Sequence, residues 1–569
     1  MNVLYLVTKI SDASINREYL AQLKGDVMRG YVPPDNIKLS IKIAREYLAE
    51  NKDTLDKYDY IIVCDATYYQ ALYKACKTST QIGYIQPSTL TSAKVTYIPS
   101  TSAIFFNPER SREQIKQGIT AVINDAKGSY TEPGKNIIHS AVYPSSVEEI
   151  KSTLDMLLTM DKPLACDIET YSLKHPDAGL ASICFCWDEH NGCAFKIDVD
   201  KTTKNEPVRE LLRWFFENYK NTLLFHNISY DAYILTYQLY MKDLLDNEGM
   251  QKGLSILLNN FEDTMLITYL ATNSCSGNHL SLKEQSLEFA GDYAQEEISD
   301  VSKIPINQLL EYNLTDGLAT WFVYNKWYNR MVQDQQLDIY TNLFKPAIKD
   351  IINMQLNGLP VDMNQVRVVK QKLCEAKDTA LGIISNSPII TEFTKVLNEK
   401  WVNVRNSKLK TKRVSIADAH EVFNPNSNLQ LKELFYDYLQ ISVINLTKTK
   451  EPSTDSKTIK SIMNQHISTE IDLLCKALLD YADADKMLST FIPAFENAYP
   501  APDGWHYLYG SFHLGGTVSG RLSSSRINLQ NLPATGATYA KLIKSIFKAP
   551  SGWLFCGLDF SSLTFRRAI

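Results

Sequence analysis

The sequence predicts a multidomain protein of mixed α/β and α+β class, in which two α/β segments precede a mostly helical one. The 569 residues exceed one ordinary domain, because length suggests roughly one domain per 150 residues. Short β-branched and aromatic runs alternate with helical patterns up to about residue 335, whereas later apolar residues recur at helical spacing. The composition is 44% hydrophobic and 22% charged, which excludes disordered, collagen-like and coiled-coil classes.

Residues 1–130 are predicted to form an accessory α/β domain. No catalytic constellation and no glycine-rich phosphate loop occurs in this segment. The breakers and polar residues of 128–134 indicate a linker. The strand candidates are the apolar runs at residues 3–7, 60–63, 95–98 and 104–106.

A second α/β domain is predicted over residues 138–335, with strands at 164–168, 182–187, 194–197 and 223–226. The helical segment 336–510 follows, and residues 511–569 form a final domain. Two apolar stripes support the helical interpretation, namely Ile348, Ile351 and Ile352, and Leu474, Leu478 and Tyr481.

Charge is distributed unevenly along the chain. Residues 511–569 contain seven Lys or Arg residues and one acid, whereas residues 1–510 contain 52 bases and 63 acids. This asymmetry indicates a polyanion-facing C-terminal surface, although ordinary solvated charge is an equal alternative. There is no membrane-length apolar run and no signal peptide, so we expect a cytoplasmic protein without a membrane partner. The ten cysteines contain no CxxC pair and are expected to be reduced thiols.

Three motifs that contain carboxylates are the first indication of function. Asp167 and Glu169 lie two residues apart at the end of a strand, so both side chains leave on the same face. Asp231 follows the strand at 223–226, where a helix is expected to begin. Tyr312 and Asp316 are four residues apart and share a helical face.

The ordered set Asp-x-Glu, Asn-x-x-Tyr-Asp and Tyr-x-x-x-Asp resembles the proofreading 3′→5′ exonuclease family with four acidic metal ligands, in its tyrosine subclass. The resemblance implies a ribonuclease H-like domain that releases mononucleotides from single-stranded 3′ ends. It implies that Asp167, Glu169, Asp231 and Asp316 hold two Mg²⁺ ions, with Mn²⁺ as an alternative, since such ions prefer hard oxygen ligands. By the same resemblance Tyr312 orients the attacking water, Asn227 binds DNA, and Asp263 and Thr264 have a supporting role.

A second resemblance covers the C-terminal half. The segments 357–362 and 423–431, and above all the block Ser519 to Pro533, resemble family A DNA polymerases, which include bacterial DNA polymerase I and several phage replicases. The resemblance implies a helical thumb at 336–510 leading into a palm. Small residues and flexible glycine let backbone approach phosphates, and amide or guanidinium groups can donate to minor-groove acceptors. The predicted primer-template contacts are Gly520, Arg521, Ser523, Ser524, Asn528 and Gln530.

The segment 553–563 resembles the first palm motif of the family, an apolar strand that delivers Asp559 as a metal ligand. The family's glutamate after the position of Leu563 is Thr564 here, and the chain ends at Ile569. We therefore expect a partial palm and an incomplete polymerase site, with dNTP binding only if another chain, such as a C-terminal polymerase fragment, completes palm and fingers. A split gene and a deliberately shortened chain are the alternative explanations.

The leading hypothesis is the N-terminal portion of a phage-type replicative family A DNA polymerase with an intact proofreading domain, acting in the host cytoplasm. Residues 1–130 lack the acidic cluster of a 5′-nuclease, so no such activity is expected. One alternative is a stand-alone 3′→5′ exonuclease, which would have no reason to contain the block Ser519 to Pro533. The other is a non-catalytic DNA-binding subunit.

Overall fold

The computed structural model describes residues 1–34, 39–74, 77–272, 279–293, 300–409, 413–447 and 450–558. These residues form two compact units. The first contains residues 1–356 and 512–523, and the second contains residues 357–511 and the described residues from 524 onward. Sheets flanked by helices make up most of the first unit, and helices dominate the second, which confirms the predicted mixed α/β and α+β class.

The N-terminal sheet consists of β1 (Val3–Val7), β2 (Asp26–Arg29), β3 (Tyr60–Val63), β4 (Gln86–Pro87) and β5 (Lys94–Tyr97). Their order is β2-β1-β3-β5-β4, and all neighbours are parallel except β4 and β5. Both β1 and β3 are fully buried, because helices cover the two faces of a parallel sheet. The helices are α1 (Asp12–Ile15), α2 (Ile41–Glu50), α3 (Lys52–Leu55), α4 (Ala66–Leu72), α5 (Ser102–Phe106) and α6 (Pro108–Ala126).

The predicted strand at residues 104–106 is wrong, because these residues form the end of α5. Phe105 and Phe106 are 85% and 70% exposed, so the run does not cover a sheet face. Short apolar runs have the same composition in strands and in helices, and periodicity cannot separate the two over three residues.

The second sheet contains β6 (Ser140–Val142), β7 (Leu164–Glu169), β8 (Ser182–Cys186), β9 (Asn191–Lys196), β10 (Leu223–Phe225) and β11 (Phe261–Asp263). Their order is β11-β10-β7-β8-β9-β6. Strand β8 runs antiparallel to both β7 and β9, and the other pairs are parallel. Strands β7 to β10 confirm the four strands predicted for this segment.

Ten α-helices of the described residues accompany this sheet. They are α7 (Val147–Leu158), α8 (Glu206–Asn218), α9 (Ile228–Leu235), α10 (Asn247–Leu257), α11 (Thr264–Ala271), α12 (Leu282–Gln285), α13 (Leu287–Ala290), α14 (Ile306–Gln333), α15 (Leu337–Ile339) and α16 (Lys345–Asn357). Side chains of α7 and α8 form the core on one face of the sheet. Leu310, Leu314 and Leu318 of α14 pack on the other face, so α14 crosses the strand that carries the predicted carboxylates.

A fully buried ion pair links α8 to the loop after β9. Arg209 and Asp198 each expose 1% of their side chains, and the guanidinium donates to both carboxylate oxygens, at 2.8 and 2.6 Å. Arg209 also donates to the Gln238 carbonyl at 2.7 Å. A buried charge of this kind is tolerated because every strong partner is present, and removing one partner would leave the other uncompensated.

The second unit is mostly helical, as predicted. Its helices are α17 (Met363–Ser385), α18 (Pro388–Lys408), α19 (Asn428–Lys432), α20 (Ser456–Met463), α21 (Thr469–Lys486), α22 (Ile492–Glu496) and α23 (Ala540–Lys544). A small antiparallel sheet has the order β12 (Leu359–Val361), β14 (His506–Leu508), β13 (Tyr499–Pro500). Strands β15 (Ser511–His513) and β16 (Ser523–Ser525) lie where the chain leaves the second unit and where it returns to it. Both predicted apolar stripes, in α16 and in α21, are buried.

The strand expected over residues 553–563 is wrong for its described part, residues 553–558, which has no regular secondary structure. Trp553, Leu554 and Leu558 are 73%, 93% and 96% exposed. An apolar segment becomes a strand only by hydrogen bonding to a neighbour, and no described segment pairs with it. Among the described residues, none of the helices combines the length and the hydropathy needed to span a bilayer.

Candidate active site

Strand β7 carries Asp167 and Glu169 on one face. Asp167 pairs with Cys184 and Glu169 with Ser182 across the antiparallel ladder to β8. Ile168, between them, points into the core on the opposite side, as the alternation of a strand requires. Both carboxylates therefore face α14. They are partly exposed, whereas the other residues of β7 are buried.

Helix α14 supplies Tyr312 and Asp316 to the same place. Gly317 permits the close approach of this helix, because a Cβ there would stand 2.6 Å from the Cys186 sulfur and 2.7 Å from the Cys184 sulfur. Any larger residue would move the helix away from β8. The glycine directly after Asp316 thus determines how near that carboxylate comes to β7.

Three of the four predicted ligands meet at one point. One carboxylate oxygen from each of Asp167, Glu169 and Asp316 lies within 4.8 Å of the others. Asp231 does not belong to that group of three; it lies in the first turn of α9 and is 3% exposed. Its charge still acts on the group, because it raises the pKa of Asp167.

The proximity of these acids perturbs their ionisation. Burial is the largest cause and raises the pKa of Asp167 well above its usual range, and Asp316, Asp231 and Glu169 add to the effect. Burial and Asp316 raise the pKa of Glu169 to about 8. Burial likewise raises the pKa of Asp231. Like charges held together in a poorly solvated place favour the protonated form until a cation joins them.

The residues present fit a divalent cation. The donor set is all oxygen, the kind that Mg²⁺ and Mn²⁺ accept. In addition, Asp231 Oδ1 is buried and has no hydrogen-bond partner among the described residues. Buried polar atoms are otherwise nearly always satisfied, so this oxygen is available to a ligand outside the chain.

Two residues that sequence reasoning missed complete the cluster, Lys283 of α12 and Tyr293. The Lys283 ammonium forms an ion pair with Asp316 and donates to the Tyr293 hydroxyl at 2.8 Å. The Tyr293 hydroxyl in turn donates to Asp316. Neither residue belongs to a motif that could have revealed it, because both lie in a segment without a periodic pattern.

Asn313 was also missed, although it stands beside Tyr312 in the sequence. Its amide nitrogen donates to Asp167 Oδ2 at 2.7 Å, and its amide oxygen accepts from the Ser182 hydroxyl at 3.0 Å. Asn313 is fully buried. Its side chain therefore holds Asp167 in one rotamer. In the sequence, the only indication of this role was that an asparagine directly follows the motif residue Tyr312.

Asp263 acts as a scaffold for the loop before Asp231. Its carboxylate caps α11 by accepting from the backbone N–H groups of Met265 and Leu266. It also accepts from the backbone N–H groups of Asn227 and Ile228, at 3.2 and 3.1 Å. Asn227 has a left-handed backbone, with φ 72° and ψ 56°, a conformation that asparagine tolerates better than most residues. This agrees with the supporting role expected of Asp263.

The predicted primer-template residues fall in the two units. In the first unit, Gly520 has φ +73°, and the Arg521 carbonyl accepts from the Thr517 hydroxyl at 2.8 Å in an exposed turn. Ser523 begins β16. In the second unit, the Ser524 hydroxyl bonds to Asn528 Oδ1 at 2.6 Å, and Gln530 N donates to the same hydroxyl at 3.5 Å. Asp559 lies outside the described residues.

Family models match two separate parts of the chain. Residues 142–331, which include β7, α9 and α14, match a model described as 3′-5′ exonuclease. Residues 394–568 match the model of DNA polymerase family A. The C-terminal part of the chain is thus similar to DNA polymerase family A, and the part before it is similar to the 3′-5′ exonuclease family.

Three DNA polymerases are similar to parts of the chain. The DNA polymerase of Escherichia phage T5 is 23% identical over 93% of the chain and 58% of its own length. DNA polymerase I of Synechocystis is 24% identical over 74% of the chain and 38% of its length. The thermostable DNA polymerase I of Thermus aquaticus is 34% identical over 25% of the chain and 16% of its length. The chain thus spans less than two thirds of each of these relatives.

Proposed function

We propose that residues 142–331 catalyse metal-dependent 3′→5′ hydrolysis of DNA. The observation that carries the proposal is the meeting of three carboxylates within 4.8 Å beside a buried carboxylate oxygen without a hydrogen-bond partner among the described residues. Asp167, Glu169, Asp231 and Asp316 would hold two Mg²⁺ ions, with Mn²⁺ as an alternative. When bound, such ions supply a hydroxide nucleophile at neutral pH and stabilise charge on the leaving 3′ oxygen.

The chain's own residues orient the reactants. Asn313 holds Asp167 through the 2.7 Å hydrogen bond. Burial, followed by Asp316, raises the pKa of Tyr312, so its phenol stays protonated and can position the attacking water by hydrogen bonding rather than remove its proton. Water oxygen bonds to phosphorus, the bond from phosphorus to the 3′ oxygen breaks, and a 5′-mononucleotide leaves. The shortened strand keeps a 3′ hydroxyl.

The test is degradation of a 5′-labelled single-stranded oligonucleotide in Mg²⁺. We expect shortening from the 3′ end, its loss in EDTA, and at least a hundredfold lower rate for Asp167→Ala, since one ligand of a metal site is removed. Asp155→Ala is the matched control, because Asp155 is an exposed carboxylate on α7 whose ion-pair partner among the described residues is Lys151. Undiminished activity of Asp167→Ala contradicts the proposal. Binding without any degradation would favour a non-catalytic DNA-binding subunit.

We also propose that the chain acts in DNA replication as part of a family A DNA-directed DNA polymerase, in the cytoplasm where the template lies. The match of residues 394–568 supports this, and so does the excess of basic residues after residue 510. Gly520, Arg521, Ser523, Ser524, Asn528 and Gln530 would contact the primer-template. We expect Asn528→Ala to weaken binding of a primer-template duplex several-fold more than binding of single-stranded DNA, which a gel-shift titration measures. Equal effects on both would contradict the assignment.

A further inference from the structure

The proposal concerns the cation already present among the carboxylates, Lys283. Its ammonium contacts Asp316 and lies 4.1 Å from the centre of the Tyr293 ring and 4.3 Å from that of the Tyr312 ring. The two rings are 5.8 Å apart, at an interplanar angle of 50°. The side chain remains 32% exposed, so the two rings and Asp316 enclose it only in part.

Resting on the proposed exonuclease function, we propose that Lys283 is a substrate-binding residue, whose ammonium pairs with the phosphate group of the 3′-terminal nucleotide. The charges of the site lead to this assignment. Four carboxylates carry four negative charges, which two divalent cations balance. The Lys283 charge then has no remaining counterpart in the cluster, whereas a phosphodiester brings one negative charge.

In this proposal the Lys283 ammonium leaves Asp316 and pairs with the phosphate when substrate binds. The residues around Lys283 keep its ammonium near the site during this change. Attraction to the faces of Tyr293 and Tyr312 does not depend on Asp316. Lysine also has four flexible methylene groups and three donors, so its ammonium can move from a carboxylate to a phosphate without rearrangement of the backbone. Tyr312 thus lines the ammonium site as well as the proposed water site.

The experiment is calorimetric titration of the full chain with thymidine 5′-monophosphate in Mg²⁺. This probe is a product-like nucleotide with one phosphate and cannot be turned over. We expect Lys283→Met to weaken binding about ten- to a hundredfold, the size of a lost hydrogen bond between charged groups. Lys283→Arg should stay close to wild type. The salt dependence of binding should also decrease in Lys283→Met, because one charge contact is lost.

Lys326→Met is the matched control. Lys326 is likewise ion-paired, with Glu288 at 2.7 Å, and lies 5.2 Å from the Trp327 ring centre. It is ten residues beyond Asp316 on α14, a displacement of about 15 Å along the helix. Its substitution should leave nucleotide binding unchanged.

Unaltered or tighter nucleotide binding by Lys283→Met overturns the proposal, and so does wild-type protein that binds no nucleotide. A melting temperature of Lys283→Met within a few degrees of wild type excludes misfolding, and recovery in Lys283→Arg shows that the charge is responsible. The nuclease assay separates the two hypotheses. If Asp167→Ala is inactive while Lys283→Met binds normally, only the assignment of Lys283 fails. If Asp167→Ala is fully active, the proposed function fails.

Discussion

Asp167→Asn is expected to stabilise the metal-free protein while removing its response to Mg²⁺. The substitution deletes one negative charge and preserves shape. The hydrogen bond from Asn313 is retained, since an amide oxygen can accept it as a carboxylate does. Asp167 takes part in two of the three repulsive pairs formed with Glu169 and Asp316, whose oxygens lie within 4.8 Å.

The magnitude follows from Coulomb's law. Two unit charges 4.8 Å apart repel by about 3 kcal/mol at an effective dielectric constant near 20. The attraction of Lys283 to Asp167 cancels roughly one such pair, and partial exposure screens the remainder. We expect a net gain of about 1 to 2 kcal/mol in the free energy of unfolding, which raises the melting temperature by a few degrees.

The raised pKa values determine how the stability difference between Asp167→Asn and wild type changes with pH. Burial raises the pKa of Asp167 well above its ordinary value and that of Glu169 to about 8, so the folded protein binds protons more tightly than the unfolded chain. The destabilisation is therefore full above the folded-state pKa and absent below the ordinary pKa. The advantage of Asp167→Asn should grow as the pH rises above the ordinary aspartate pKa of about 4 and should nearly vanish below it.

Differential scanning calorimetry in EDTA measures this effect, with Asp155→Asn as the surface control. In excess Mg²⁺ the order should reverse, because a ligand that binds only the folded state stabilises it by about 2.7 kcal/mol at one hundred times its dissociation constant. Wild-type protein should gain that stability and Asp167→Asn should not. An Asp167→Asn protein that is less stable than wild type in EDTA at pH 9 would refute the reasoning.

Three further substitutions test the supports of the site. Asn313→Leu removes the hydrogen-bond donor to Asp167 and should lower the nuclease rate about ten- to a hundredfold. The Mg²⁺ affinity is measured in the same variant. An unchanged nuclease rate would show that the hydrogen bond is dispensable. Gly317→Ala should destabilise the protein by about 1 to 3 kcal/mol through overpacking, whereas Gly382→Ala, where a Cβ meets nothing within 4 Å, should be neutral or stabilising in the same urea titration. Arg209→Met leaves the buried Asp198 carboxylate without its ion-pair partner and should lower the free energy of unfolding by about 3 to 5 kcal/mol. Chemical denaturation measures this loss, and a loss smaller than about 1 kcal/mol would contradict the prediction.

Local patterns in the sequence were sufficient for much of the fold. Strands β7 to β10 follow from short apolar runs bounded by polar residues, and the buried stripes of α16 and α21 from helical spacing. The strand predicted at 104–106 is wrong, and the strand expected over 553–563 is not formed in its described part, residues 553–558. Whether such a run becomes a strand depends on a neighbouring strand to pair with, which the run itself does not encode.

The candidate site divides in the same way. The sequence determined that Asp167 and Glu169 share a strand face and that Tyr312 and Asp316 share a helix face, because side-chain direction repeats every two or about 3.6 residues. Tertiary structure alone decided which carboxylates meet, leaving Asp231 outside the group of three.

Tertiary structure also decided the other members of the site. The contact of Asn313 with Asp167 joins residues 146 positions apart, and that of Lys283 with Asp316 joins residues 33 positions apart. Such contacts depend on how α12 and α14 pack against the sheet, and the close approach at Gly317 is part of that packing. No local period encodes the distance between elements. The sequence therefore determined the chemical class of the site, and packing of helix on sheet placed a lysine, an asparagine and a second tyrosine within it.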